Sequence, residues 1–118
     1  MNKLLVVDDD IDILDAIEML LEVHGYDVDT LTNGRDVMQI AKKNQPDLII
    51  LDYLLSGSNG KEICRQLKAD PETSHIPVIM ISAHPTDPSF MNECGANSFV
   101  PKPFSTQTLI QQIQCNIR

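Results

Sequence analysis

Acidic side chains follow two apolar runs in this 118-residue chain. Three aspartates, residues 8–10, come directly after Leu4–Val7, and Asp52 comes directly after Leu48–Leu51. If the two runs are neighbouring strands about 4.8 Å apart, carboxylates at their ends repel by roughly 3 kcal/mol at an effective dielectric near 20. A shared proton would relieve that repulsion, and so would a hard divalent cation. An all-oxygen site with room for water suits Mg²⁺.

A serine and a lysine stand at the ends of two later apolar runs. Ser82 follows Pro77–Ile81, and Lys102 closely follows Asn97–Val100. Taken singly, each polar residue has an ordinary structural explanation: a lone serine at a strand end forms local hydrogen bonds, and Asp10 suits the positive end of a helix. Their joint occurrence at successive strand ends favours a functional site.

The elements that must position these residues are predicted strands that alternate with predicted helices along the chain. The apolar runs, at 4–7, 26–31, 47–51, 77–81 and 97–100, are separated by segments with helical spacing. The runs at 4–7, 47–51 and 77–81 are continuously apolar, as in strands covered on both faces. The pattern predicts one α/β domain over residues 1–118, with a doubly wound, five-stranded parallel sheet that has helices on both faces. Ligands bind beyond the carboxyl ends of such strands, where the polar residues lie.

The helical segments carry their own stripes and caps. The stripes are Ile13, Ile17, Leu20 and Leu21; Val37, Ile40 and Ala41; Ile63 and Leu67; and Leu109, Ile110, Ile113 and Ile117. Asn33 and Ser105 are predicted N-caps, and Gly25 is a predicted C-terminal glycine.

Composition narrows the class of function. Nine basic residues against 17 acidic ones give a net charge of −8, which disfavours direct binding to nucleic acid or to an anionic membrane surface. The apolar runs are too short to span a bilayer. Three widely spaced cysteines without a CxxC pair indicate reduced thiols and a cytoplasmic location.

In combination, the motifs resemble the receiver domain of response regulators in bacterial two-component signalling, a chemotaxis-regulator-like fold. The resemblance covers essentially the whole chain and implies a flavodoxin-like (βα)5 fold with the strand order 2-1-3-4-5. The matching stretches are LLVVDDD at 4–10, PDLIILD at 46–52 with Gly57 and Gly60, PVIMISA at 77–83, GA at 95–96 and VPKPF at 100–104.

The resemblance implies a phosphoacceptor and a metal site. Asp52 would accept a phosphoryl group from a sensor histidine kinase or a histidine phosphotransfer protein. Asp8 and Asp9 would hold Mg²⁺, with Asp9 the more direct ligand, and Asp52 and the backbone carbonyl of Leu54 would complete the protein ligands. The protein would be a signalling phosphoacceptor that assists its own phosphorylation and dephosphorylation, rather than an enzyme.

The resemblance also implies a switch. Ser82 and Lys102 would contact the phosphoryl group, and Ser82 with Phe99 would carry the conformational change to a partner or output domain. The resemblance further implies a homodimer, formed through the face of the fourth helix, fifth strand and fifth helix. A cis Lys102–Pro103 peptide bond is expected, since that turn aims the lysine at Asp52.

Three features depart from the family pattern. Ser56 replaces the usual proline, Phe99 lacks the hydroxyl of the common tyrosine, and the segment after Ser82 is shorter than usual and contains Pro85 and Pro88. Proline is disfavoured in helix interiors, so the fourth helix is expected only at Ser89–Cys94. Residues 84–94 are therefore expected to be the least protected from hydrogen exchange and to become ordered on phosphorylation.

Other functions remain open at this stage. A phosphohydrolase of the haloacid-dehalogenase type also opens with an apolar strand and Asp-x-Asp, and would carry phosphate on Asp8. A flavodoxin is disfavoured because no phosphate-binding loop follows the first run, and the complete acid set disfavours a receiver-like domain that acts by binding alone. The chain could be a stand-alone regulator or a receiver from a larger protein.

Overall fold

A single parallel sheet forms the centre of the molecule. The computed structural model describes residues 2–55, 58–82 and 95–117. The sheet has the order β2-β1-β3-β4-β5, and every pairing in it is parallel. This order confirms the predicted fold class. The strands are β1 (Lys3–Val7), β2 (Asp27–Leu31), β3 (Leu48–Asp52), β4 (Val78–Ser82) and β5 (Ser98–Pro101).

Four helices flank the sheet in the described residues. They are α1 (Ile11–Val23), α2 (Val37–Asn44), α3 (Gly60–Ala69) and a C-terminal helix (Thr106–Asn116). A short antiparallel pairing of Leu54–Leu55 with Ser58–Asn59 lies between β3 and α3. The helix predicted at Ser89–Cys94, the behaviour predicted for residues 84–94 and the substitution at Ser56 lie outside the described residues.

Apolar side chains fill a layer on each face of the sheet. Alternate residues of β1 divide between the layers, with Leu5 and Val7 on the α2/α3 face and Leu4 and Val6 on the face of α1 and the C-terminal helix. The central strand β3 divides in the same way and is buried throughout. Burial on both faces explains why these runs are continuously apolar. None of the helices in the described part of the chain has the length and apolar character needed to cross a bilayer.

Local signals place most helix ends correctly. Asp10 caps α1, since its Oδ1 accepts hydrogen bonds from the amides of Asp12 and Ile13, and Ser105 caps the C-terminal helix. Asn33 instead caps a turn, because its side chain accepts from the amides of Arg35 and Asp36, and α2 begins only at Val37.

The buried stripe of α1 is rotated from the predicted one. Leu14, Ile17 and Leu21 are buried, whereas Ile13 and Leu20 are only partly buried at its edge. Gly25 follows the helix with φ +90°, the left-handed conformation expected of a C-terminal glycine.

Candidate functional site

The register of the sheet brings the predicted polar residues to one edge. Val7 pairs with Leu51, so Asp8 and Asp52 leave their strands side by side. Ser82 pairs with Pro101, so Lys102 follows directly on the next strand. Parallel strands end at the same edge, and four segments of the chain therefore contribute to one site.

Backbone hydrogen bonds continue beyond the strands and fix this edge. The Asp8 amide donates to the Leu31 carbonyl (3.1 Å). The Tyr53 amide donates to the Ile81 carbonyl (2.8 Å), and the Lys102 amide donates to the Ser82 carbonyl (2.7 Å). Each functional residue is thus held by the strand beside it. The Lys102–Pro103 peptide bond is cis, as predicted.

Three carboxylates converge at this edge. Asp8, Asp9 and Asp52 each offer an oxygen, and these atoms all lie within 4.8 Å of one another. Asp8 is 1% exposed and Asp52 is 7% exposed, so solvent screens little of their repulsion. Asp10 takes no part in this cluster, because its side chain caps α1.

Lys102 balances part of this charge. Its Nζ lies 3.1 Å from Asp8 Oδ2 and 3.4 Å from Asp52 Oδ2. Burial alone would lower the pKa of Lys102, but the hydrogen bond that its ammonium donates to Asp8 and the charges of Asp52 and Asp8 raise the pKa above its ordinary value. The ammonium is therefore charged at neutral pH, and it contacts Asp8 and Asp52 of the three-carboxylate cluster.

The excess negative charge of the cluster changes the pKa of Asp52. Burial raises its pKa, and the charge of Asp8 raises it further, while Lys102 acts in the opposite direction. The result is a pKa raised from 3.8 to about 6. At neutral pH the carboxylate is largely ionised but at an electrostatic cost, which a cation would remove.

This donor set fits Mg²⁺. Oxygens bound to one octahedral Mg²⁺ at about 2.1 Å stand about 3 to 4 Å apart, so carboxylates within 4.8 Å of one another need move little to share an ion. Hard oxygen donors and excess negative charge are what Mg²⁺ prefers. Leu54 lies two residues beyond Asp52 in the short strand, and its carbonyl as a further ligand stays a prediction.

The two proposed switch residues lie on one face of the sheet. Met80 faces the α2/α3 layer, and strand alternation places Ser82 on the same face. Phe99 pairs with Met80 in the register of β4 and β5 and packs partly buried against that layer. Ser82 itself is 2% exposed at the end of its strand.

Sequence reasoning missed two features of the site. The first is that Lys102 contacts Asp8 as well as Asp52, since only the register fixes which carboxylate the lysine reaches. The second is the close approach of α3 to the backbone of Asp52, at Gly60. The glycine was part of the recognised motif, but no local signal in the sequence revealed the contact.

Comparison with known proteins agrees with this geometry. The family profile described as the response regulator receiver domain matches residues 4–114. The chain is similar to a protein provisionally assigned as a response regulator from Chloroflexus aurantiacus, with 34% identity, a TM-score of 0.89, and 97% and 95% of the two chains covered.

Two further solved structures show the same similarity. The chemotaxis protein CheY4 of Vibrio cholerae has 29% identity and a TM-score of 0.92, with 99% of each chain covered. The signal receiver domain of a signal transduction histidine kinase from Syntrophus aciditrophicus has 31% identity and a TM-score of 0.88, with 98% of this chain and 89% of that chain covered.

Proposed function

We propose, from the premise that this chain belongs to the response regulator receiver domain family, that Asp52 accepts a phosphoryl group from a phosphohistidine donor in a Mg²⁺-dependent reaction. The observation that carries the proposal is the placement of Asp52 beside Asp8, Asp9 and Lys102 at one sheet edge. As a receiver domain the protein serves two-component signalling, and the donor would be a sensor histidine kinase or a histidine phosphotransfer protein.

The chemistry needs an ionised nucleophile and positive charge around the phosphoryl oxygens. An oxygen of Asp52 attacks phosphorus, the P–O bond forms as the P–N bond to the donor histidine breaks, and the histidine leaves with the bonding electron pair. Lys102, 3.4 Å from Asp52, offers its ammonium to the transferred group. Catalysis of this kind is positioning and electrostatic stabilisation, so the protein needs no further base.

Asp8, Asp9, Asp52 and the Leu54 carbonyl would hold Mg²⁺, which supplies charge neutralisation to the phosphoryl oxygens when bound. Lys102 contacts both Asp8 and Asp52. Asp8 keeps a second contact of its own, since its Oδ1 accepts from the Asp10 amide at 2.9 Å. The orientation of Asp8 is therefore fixed by protein contacts at both of its carboxylate oxygens.

Phosphorylation would be read through Ser82 and Phe99. Aspartyl phosphate carries more negative charge than the carboxylate it replaces, and it draws hydroxyl and ammonium donors inward. Ser82 lies on the strand beside Asp52, and Phe99 shares its face of the sheet. The homodimer face, the switching route and the cytoplasmic location stay predictions.

The test is phosphorylation by acetyl phosphate with MgCl₂, followed by borohydride reduction and peptide mapping. We expect modification at Asp52 alone, none in Asp52→Asn, and strong suppression by EDTA. Modification that persists at the wild-type level in Asp52→Asn would overturn the assignment, and modification at Asp8 would favour the phosphohydrolase alternative. Transfer from a phosphorylated histidine kinase then tests the donor class.

A further inference from the structure

We infer that Gly60 is a positioning residue for the acidic site, because only a residue without a side chain lets α3 begin against the backbone of Asp52. This inference rests on the proposed function, since it concerns the same Mg²⁺ and phosphoacceptor site. It assigns a role to a residue that touches neither the metal nor the phosphoryl group.

The contact is tighter than any side chain permits. A Cβ atom built on Gly60 would overlap the carbonyl oxygen of Asp52, and it would lie 3.0 Å from both the Cα and the carbonyl oxygen of Tyr53. All three are backbone atoms, which cannot rotate out of the way as the end of a side chain can. The Gly60 amide also donates to the Tyr53 carbonyl at 2.8 Å, so the two segments are bonded as well as packed.

Backbone conformation does not explain this glycine. Within the described residues, the glycines with positive φ are Gly25 (+90°) and Gly95 (+81°). Gly60 is not among them, so an alanine could adopt its dihedral angles. The requirement for glycine is therefore the close approach to Asp52.

The strain introduced by a side chain would move the α3 side of the contact. Asp52 belongs to the central strand and pairs with Ile81, and the next residue donates from Tyr53 N to the Ile81 carbonyl at 2.8 Å. On the other side, the segment that leads into α3 is the two-residue pairing of Leu54–Leu55 with Ser58–Asn59, which is much shorter than the five-residue strand β3. Relieving the clash pushes this pairing and the start of α3 away from Asp52.

That displacement changes the metal site directly. Leu54, whose carbonyl is a proposed ligand, lies in the pairing that moves, while Asp8, Asp9 and Asp52 stay with the sheet. The oxygen donors would then no longer converge on one point. Loss of a group that orients metal ligands lowers metal affinity about 10- to 100-fold.

The chain offers matched controls. Gly25→Ala places a side chain at positive φ with nothing within 4 Å of its Cβ, so it strains the backbone without pushing on any neighbour. Asn59→Ala removes the cap that accepts from the Lys61 amide at 2.8 Å, and so loosens the start of α3 without adding bulk. The first variant controls for lost stability, and the second tests the same contact by another route.

The experiment measures Mg²⁺ binding by tyrosine fluorescence. The chain has two tyrosines and no tryptophan, so Tyr26→Phe leaves Tyr53, beside Asp52, as the reporter. In this background we expect Gly60→Ala to raise the dissociation constant for Mg²⁺ at least tenfold, Asn59→Ala to raise it about two- to fivefold, and Gly25→Ala to leave it within about twofold.

A metal-free measurement runs in parallel. Hydrogen exchange at the residue 60 amide should be at least about tenfold faster in Gly60→Ala, because the displacement weakens its bond to the Tyr53 carbonyl. In Gly25→Ala, the exchange rate of this amide should change only as much as the loss of global stability accounts for.

Either of two results overturns the inference: a folded Gly60→Ala with wild-type Mg²⁺ affinity, or equal losses of affinity in Gly60→Ala and Gly25→Ala. If Gly60→Ala does not fold, unchanged affinity in Asn59→Ala overturns it instead. Failure of the proposed function is a separate outcome, seen as wild-type protein that is not phosphorylated by acetyl phosphate. The variant-to-wild-type ratios and the exchange rate still decide the role of Gly60 in that case.

Discussion

Lys102 and Asp8 form an ion pair 3.1 Å long across 94 positions of sequence. Both side chains are largely buried, and the lysine also reaches Asp52. The pair joins the last strand of the sheet to the first strand of the chain, although these strands are not neighbours in the sheet. It is therefore a tertiary contact that only the finished register can make.

Removing the ammonium should destabilise the metal-free protein. Lys102→Ala leaves buried Asp8 and Asp52 facing each other without their cation, and we expect a loss of about 2–4 kcal/mol in unfolding free energy at pH 7.5 with EDTA. Urea denaturation measures it, and Mg²⁺ should restore much of the loss. Lys42→Ala is the control: its exposed bridges to Asp70 and Glu72 are screened by solvent, so their loss should lower the unfolding free energy far less. Equal losses in the two variants would contradict the assigned role of the buried pair.

Asp52→Asn should change how stability depends on pH. The pKa of Asp52 is raised in the folded protein to about 6. The contribution of Asp52 to the unfolding free energy is therefore fully present below its unfolded pKa near 4, and it is lost as pH rises through 6. Metal-free Asp52→Asn should exceed wild type by about 1–3 kcal/mol at pH 7.5 and show no such advantage at pH 3.5. Urea titrations at both pH values with EDTA measure the difference. A variant that is less stable at pH 7.5 would show that the Lys102 contact outweighs the burial and repulsion.

Neighbouring aspartates should separate metal binding from helix capping. Asp9→Ala should weaken Mg²⁺ binding at least about tenfold, because it removes a proposed direct ligand. Asp10→Ala should instead cost about 1 kcal/mol of stability, since its side chain accepts from two amides at the start of α1. Calorimetry and urea denaturation of both variants test the distinction. Similar Mg²⁺ affinities in the two variants would remove Asp9 from the ligand set.

Ser82→Ala should uncouple phosphorylation from switching. We expect phosphorylation of Asp52 by acetyl phosphate to persist, because the nucleophile, the carboxylates and Lys102 are intact. The conformational response should fall sharply, because the variant lacks the hydroxyl that we propose contacts the phosphoryl group. Hydrogen exchange with and without beryllofluoride and Mg²⁺ measures that response in wild type and variant. An unchanged response in Ser82→Ala would remove the serine from the switch.

The sheet and the position of the polar residues at its edge were predictable because short stretches of sequence indicate both the buried strands and the points where they end. The continuous apolar runs ending at Val7 and Leu51 identified strands covered on both faces, and the polar residue after each run marked the edge where strands end. Asp10 was separable from Asp8 and Asp9 for a similar local reason, since an acid at a helix start is explained by the helix itself.

Features decided by packing were not predictable in the same way. Leu14 replaces Ile13 on the buried stripe because the rotation of α1 is set by its contact with the sheet. Asn33 caps a turn rather than α2, because the segment before Val37 satisfies its amides in a separate hydrogen-bonded loop. The approach at Gly60 depends on where α3 lands against β3, which composition and period do not encode.

The order in which the chain is synthesised determines when the repulsion between the acidic side chains of this site can be offset. Asp8, Asp9 and Asp52 all precede β4 and β5, whereas Lys102 follows the last strand. A nascent chain that has emerged only as far as α3 can pair β1 with β3, and so bring the acids together, before the lysine exists to offset them. Electrostatic repulsion therefore opposes early closure of the amino-terminal half, and the final strand supplies both the sheet edge and the counter-charge that complete the domain.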